Sequence, residues 1–384
     1  MRTPKLNVRA IQIVLWVSIL LALFLFVGNS QVFAGAGYDG GFVVSADSDE
    51  NFLMKVNGFS QARFTFFSPD DDNADSQGNF HLGLGRISLS GKAFDSKTSY
   101  FFQIEGSTFG NTNNISFIDW SVSYEVASQL SITTGRFILP YSRQFYTHPG
   151  NLLFTDLSAT DFAFNLPRAI GVMASGSQDK VSYGVGIVNN IAVLDAGPGV
   201  LGESNPPGGE LSFFGRVELA ILEPYGYMET TARLAAKPTL SIGVAAARNE
   251  IDRESGLQNV AVGDITNNVT VDVGFRLQAL TLQGAFHFRA KEPIGGVDDL
   301  NDTGFYAQAG FQVMPEKFEV GTRVSMVDFE DVSTTFEYTV GCNYYLSGHN
   351  LKIQVDGSLI HTELEGTAES TNDFQIRAQT QILF

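Results

Sequence analysis

Cysteine is almost absent from this chain: Cys342 is the only one in 384 residues. No internal disulfide can form, so whatever holds the fold together is noncovalent. The five histidines, His81, His148, His287, His349 and His361, are scattered one to an element. No set with metal-ligand spacing appears, and no metal site is expected. No G-x-S-x-G, Walker loop, H-E-x-x-H or D-x-D-x-D-G ladder occurs, Asp264 and Asp298 included, so neither a cofactor nor an enzyme activity is expected. Basic residues are few, 24 against 41 acidic ones for a net charge of −17, which argues against a nucleic-acid partner. Beyond residue 34 no apolar run approaches the roughly 20 residues that a membrane-spanning helix needs.

What is abundant is Gly (39), Phe (32) and Tyr (12), which suits tight turns and aromatic strands. Residues 1–34 carry Arg2, Lys5 and Arg9, an apolar run from about Ile11 to Val27, and small residues at Val32–Ala34. That is the layout of a secretory signal peptide, with cleavage after Ala34 or Ala36. No Cys lies near the cut, which argues against a lipoprotein. The expected organisation is a leader, 1–34, and one domain, 35–384. The mature chain keeps 21 basic and 41 acidic residues, a charge of −20. Acids cluster at Asp70, Asp71, Asp72 and Asp75, and again at Asp298, Asp299 and Asp302, in polar segments that read as solvated loop tips.

The end of the chain, Phe374–Phe384, alternates strictly. Phe374, Ile376, Ala378, Thr380, Ile382 and Phe384 fall on one face, and Gln375, Arg377, Gln379, Gln381 and Leu383 on the other. A strand sends alternate side chains to opposite faces, so this one separates an apolar medium from a wet one. It is long enough for a tilted strand crossing a bilayer, about 9–11 residues. Sixteen such runs follow one another from Asn51, joined alternately by links of two to five residues and by longer polar ones. Short turns on one rim and long loops on the other mark an outer-membrane barrel. One irregular segment, 141–167, interrupts the rhythm; a Gly/Pro-rich loop spans 193–209, and a longer link lies around 225–237. Phe275, Phe286, Phe305, Phe318 and Tyr344 share the apolar face. Arg276, Gln283, His287, Arg289, Gln308, Glu319, Arg323, Glu337, Asn343, Lys352, Gln354, Asp356 and Arg377 share the polar one. Periodicity alone does not separate a soluble sandwich, which turns its apolar face inward, from a barrel with an aqueous lumen, which turns it to lipid. The leader, the missing domain break and the terminal Phe favour an all-β, transmembrane antiparallel barrel of 16 strands.

Motifs along the chain resemble the phosphate-selective porin O and P family of Gram-negative outer membranes. They are Gly40–Ala46 with Phe52–Gln61 (FLMKVNGFSQ), Arg86–Lys92 (RISLSGK), Ile118–Tyr124 (IDWSVSY), Gly135–Gln144 (GRFILPYSRQ) and Arg168–Val172 (RAIGV). The resemblance implies an outer-membrane homotrimer, each barrel narrowed by an inward-folded third loop, passing small hydrophilic solutes or inorganic anions such as phosphate. The terminal Phe resembles the closing signal that the barrel-assembly machinery reads. The sequence departs from the selective members at Ile138, where relatives often carry a basic residue.

A pore selects by width and by the charges lining it, and Arg presents a planar fork that suits phosphate and carboxylate. The candidates for the solute path are therefore Arg63, Arg86, Arg136, Arg143, Arg168, Arg276, Arg289 and Arg323, with Arg136, Arg143 and Arg168 nearest the third loop. The competing role for each is to pair with a wall acid, Glu105, Asp119, Glu125, Glu218, Asp272 or Glu319. A general or cation-preferring channel, a phospholipase-type barrel using His361, and an adhesin or receptor acting through its loops are the rival readings.

Overall fold

The period-2 pattern becomes a continuous run of strands. The computed structural model describes residues 35–38, 40–45, 51–70, 75–107, 114–189, 191, 211–230, 232–250, 265–292, 299–367 and 369–384. The expected leader 1–34, the loop 193–209, and Asp71, Asp72, Asp264 and Asp298 lie outside them. The strands are β1 (Gly35–Tyr38), β2 (Phe42–Ser45), β3 (Leu53–Ser68), β4 (Gln77–Lys92), β5 (Thr98–Ser107), β6 (Asn114–Ala127), β7 (Leu130–Ile138), β8 (Arg168–Gln178), β9 (Val181–Asn189), β10 (Leu211–Ala220), β11 (Ala235–Glu250), β12 (Ile265–Gln278), β13 (Leu280–Glu292), β14 (Leu300–Met314), β15 (Phe318–Phe329), β16 (Ser333–Ser347), β17 (Leu351–Leu364) and β18 (Ser370–Leu383). Between β7 and β8 the chain forms two short helices, α1 (Arg143–Tyr146) and α2 (Ala159–Phe164), and a 3₁₀ turn, Pro149–Asn151. No described helix is long and apolar enough to cross a membrane.

Strands β3 to β18 pair antiparallel, each with the next, and β18 returns to β3 from Phe374↔Ser68 to Leu383↔Phe59, closing a 16-strand barrel. Closure leaves no sheet edge unpaired along the wall, which a membrane requires. Where β18 runs out, β2 takes its place against the start of β3, Phe42↔Val56 to Ser45↔Leu53, and folds back on β1. The last residue completes the seam. Phe384 N–H donates to Gly58 O at 2.9 Å, and Gly58 N–H to Phe384 O at 2.8 Å. The Phe384 ring lies where a Cβ on Gly58 would sit, 2.3 Å from its Cζ, and meets the Phe42 ring edge-on.

Burial decides which face meets which medium. Along β13, Phe286 is half exposed (50 %) while the next residue, His287, is fully buried. All thirteen polar-face residues named from the sequence are buried, and the apolar face stays open around the wall. This is a soluble protein turned inside out, and it excludes the sandwich: an exposed band of Phe, Val, Leu and Tyr fits lipid. On the rim where the chain ends, the turns at 93–97, 128–129, 179–180, 279, 315–317 and 348–350 are short, but 221–234 is not. The opposite rim carries the long third loop, 139–167.

Candidate functional site: the barrel lumen

The third loop turns inward because its sequence gives it both a frame and anchors. Ser142 caps α1, accepting from Phe145 N at 3.2 Å, and Ser158 caps α2, accepting from Asp161 N at 3.0 Å. Side-chain oxygens at these positions satisfy N–H groups that a helix start leaves open. The Ser142 hydroxyl also donates to the Asp161 carboxylate, tying the two helices together. At its base the loop is apolar: Leu139, Tyr141 and Leu166 pack with Phe137, Met173, Val188 and Phe214 inside the wall. Further in, Phe164 seats over Gly304, where a Cβ would lie 2.6 Å from the ring.

Charged groups fix the rest. Arg143, on α1, gives Nε to Asp272 at 2.6 Å and pairs with Glu218 at 2.8 Å; Arg216 binds Asp272 through both Nη atoms at 2.6 and 2.9 Å. Two guanidinium groups and two carboxylates thus neutralise one another between the loop and strands β10 and β12. Thr155 donates from N and Oγ1 to Asp356 at 2.8 and 2.7 Å. Asp156 accepts from Arg63 at 2.6 Å and Arg377 at 3.4 Å. Arg323 holds the carbonyls of Asp156 and Leu157 at 3.0 and 3.1 Å, and Glu337 accepts from Ala159 N at 3.1 Å.

A second segment enters from the other rim. Residues 225–230, within the link from β10 to β11, fold into the lumen and meet the third loop at its middle. Glu229 is fully buried and accepts from Gln144 Nε2 at 2.5 Å and from Leu153 N at 2.8 Å, while its own N–H donates to Asn151 O at 3.2 Å. Arg143 Nη1 reaches Gly226 O at 2.9 Å and lies between the Tyr225 and Tyr227 rings; Tyr227 stacks edge-on against Tyr146. Thr230 donates to Glu319, which also accepts from Tyr345 at 2.5 Å. Tyr225 covers Gly274, leaving no room for a Cβ there. The sequence reading placed a longer link here but not its inward course. The available signal was its length on a rim of short turns, together with Tyr-Gly-Tyr-Met-Glu-Thr, too aromatic for a solvated link.

Residues 268–382 match the family model for phosphate-selective porin O and P. That stretch spans most of β12 through β18, the C-terminal third of the chain. The chain's fold is similar to that of the anion-selective porin from Comamonas acidovorans (15 % identity, 86 % of this chain and 99 % of that one, TM-score 0.60). It is also similar to OmpF of Salmonella typhi, solved with daunomycin (13 %, 88 % and 99 %, 0.58), and to the outer-membrane channel DcaP of Acinetobacter baumannii (10 %, 86 % and 97 %, 0.58). At these identities the likeness is one of fold. Comparison with curated proteins finds no match. The matched family model and the fold are both those of outer-membrane porins.

In this barrel the eight candidate arginines separate into groups. Arg63, Arg143, Arg289 and Arg323 anchor the third loop: Arg289 pairs with Asp302 at 2.7 Å and donates to Ala163 O at 3.3 Å, and the other three make the contacts given above. Arg276 donates to Met228 O at 2.7 Å and stacks on Tyr225, so it holds the second segment. Arg86 pairs with Glu105 at 2.6 Å and Arg168 with Asp119 at 2.9 Å; both guanidinium groups keep a little exposure, 10 % and 12 %. Arg136 is half-buried and stands opposite Trp120 and Ile170 in the register of the neighbouring strands. Among the described residues no cluster of three or more His, Cys, Asp or Glu side chains is arranged to hold a metal ion.

Proposed function

We propose that the protein is a weakly selective channel for small hydrophilic solutes, whose path runs along strands β4 to β6 and the start of β8, opposite the polar anchors of the docked third loop. The loop's polar contacts go to β3, β10 and β12–β18, which leaves the other side for water. Arg86, Glu105, Asp119 and Arg168 line that side, facing Tyr146 and His148 of the loop. The observation that carries the reading is pairing: each of these two arginines sits on a carboxylate. A wall of balanced charge orients a dipolar solute without strongly preferring an anion. Phosphate is accordingly one solute among several.

Single-channel recording of the refolded mature chain under a salt gradient tests this. The expected reversal potential is close to zero. In Arg86→Gln with Arg168→Gln, Glu105 and Asp119 lose their partners, and cation over anion permeability rises by about fivefold, the effect of about 1 kcal/mol from a unit charge 4 Å away in water. Strong anion preference in the wild type, abolished by the same pair, overturns weak selectivity in favour of a phosphate path.

Two further parts of the reading are the assembly and the leader. A trimer is supported by the solved trimer form of the Vibrio cholerae outer-membrane protein OmpT, a fold relative, and is read out by mass in detergent. Removal of residues 1–34 is read out by N-terminal sequencing of protein from outer membranes.

A further inference from the structure

On the outer wall, in the half nearest the long-loop rim, strands β8 to β12 leave a groove of about 800 Å³. That volume lies within the range of small-ligand sites, yet the groove opens toward lipid, not toward the lumen. Its sides are the outward Val185 and Phe213, each more than half exposed. Its floor is Gly215 and Ala246. Gly215 is informative because the fold does not demand it. Its φ is not in the left-handed region, and a Cβ there would meet only ordinary contacts, 3.9 Å from Gly184 O and from Val185 Cγ2. The missing side chain makes room for something else. At the upper end stands Arg248, exposed and outward, two residues before β11 ends. Its Nη1 donates to Asn267 Oδ1 at 3.2 Å, and the Asn267 amide donates in turn to Glu292 at 3.1 Å. One donor of the five on the guanidinium is used in that bond.

We infer that this groove binds one acyl chain of a phosphorylated lipid in the outer leaflet, with Arg248 on its phosphate. Long loops mark the external rim, so Arg248 lies at headgroup level and the apolar slot below it at acyl depth. Basic side chains beside apolar clefts recognise lipid headgroups in this way. A second barrel is a poorer occupant, because its convex wall cannot enter a concave groove, whereas a single chain can.

Native mass spectrometry of the full mature protein in detergent tests the site, with dimyristoyl phosphatidic acid and dimyristoylglycerol as probes. The wild type is expected to retain the phosphatidic acid over the glycerol. Arg248→Ala lowers retention of the phosphatidic acid about fivefold, the effect of one basic side chain on an anionic headgroup, and leaves the glycerol unchanged. Gly215→Leu fills the floor and removes both. Heat-modifiable gel mobility checks that each variant is a folded barrel. Equal retention by wild type and Gly215→Leu overturns the proposal. So does an oligomer that dissociates in Gly215→Leu with lipid binding unchanged, which would assign the face to a second copy.

Discussion

Replacing Arg143 by Gln is the most direct test of how the lumen is held. The side chain is fully buried, Asp272 is equally so, and Glu218 keeps 8 % exposure. The network of Arg143, Arg216, Asp272 and Glu218 is neutral, and the substitution leaves it with one uncompensated negative charge in the middle of the barrel. Exposed ion pairs contribute about 0–1 kcal/mol. Breaking a buried one costs about 3–5 kcal/mol, because the orphaned charge stays desolvated. Glu218 keeps that small exposure, so the lower end applies. About 3 kcal/mol of lost docking is about a hundredfold more opening of the third loop. Hydrogen exchange should show amides of 143–166 exchanging about a hundredfold faster, with the strand amides unchanged, and single channels should become noisier. Adding Glu218→Gln restores neutrality and should recover most of the protection. Unchanged loop exchange in Arg143→Gln, or a double variant worse than the single one, would refute the argument that this network anchors the loop.

Three other outcomes follow from the same geometry. Glu229→Ala leaves the Gln144 amide and Leu153 N–H without their acceptor and uncouples the two inserted segments; a wider, more variable conductance is expected, and an unaltered one would show that the second segment does not limit the path. Gly58→Leu places side-chain atoms in the space of the Phe384 ring, so the seam closes poorly, and less folded, heat-modifiable barrel should be recovered on a gel, while Phe384→Ala in the same chain should restore part of it. Docking of the third loop should also have a pH optimum. Burial, with Glu229 and Asp272 nearby, pushes the Asp161 carboxyl up to about 7 from an ordinary 3.8, against the Ser142 hydroxyl. The docked state therefore holds its proton, and docking weakens as pH rises from about 4 to about 7. Burial, then the charges of Arg86 and Lys352, pushes the His148 imidazole down to about 3 from 6.5. The docked state keeps it neutral, and docking weakens as pH falls from about 6.5 toward 3. Hydrogen exchange at pH 4.5 and pH 8 should show Asp161→Asn losing the first dependence and His148→Gln the second.

The local alternation was legible in the sequence. Phe374 to Phe384 already separated wet from greasy faces, and each of the sixteen runs read from Asn51 onward became a strand of the closed barrel, because a period of two is a property of neighbours along the chain. Tertiary structure settled what depends on register and on distant partners. Which face met lipid needed closure of β18 on β3. Arg63 and Asp156 lie 93 residues apart, so only the fold of the third loop made them a pair. The inward course of 225–230 was hidden as well, because what draws it in, Gln144, Leu153 and Glu319, belongs to other elements. Composition and alternation determined a succession of strands, each with one apolar and one polar face. Packing between remote segments decided how that interior is divided, since ion pairs and hydrogen bonds recognise distance in space and not distance along the chain.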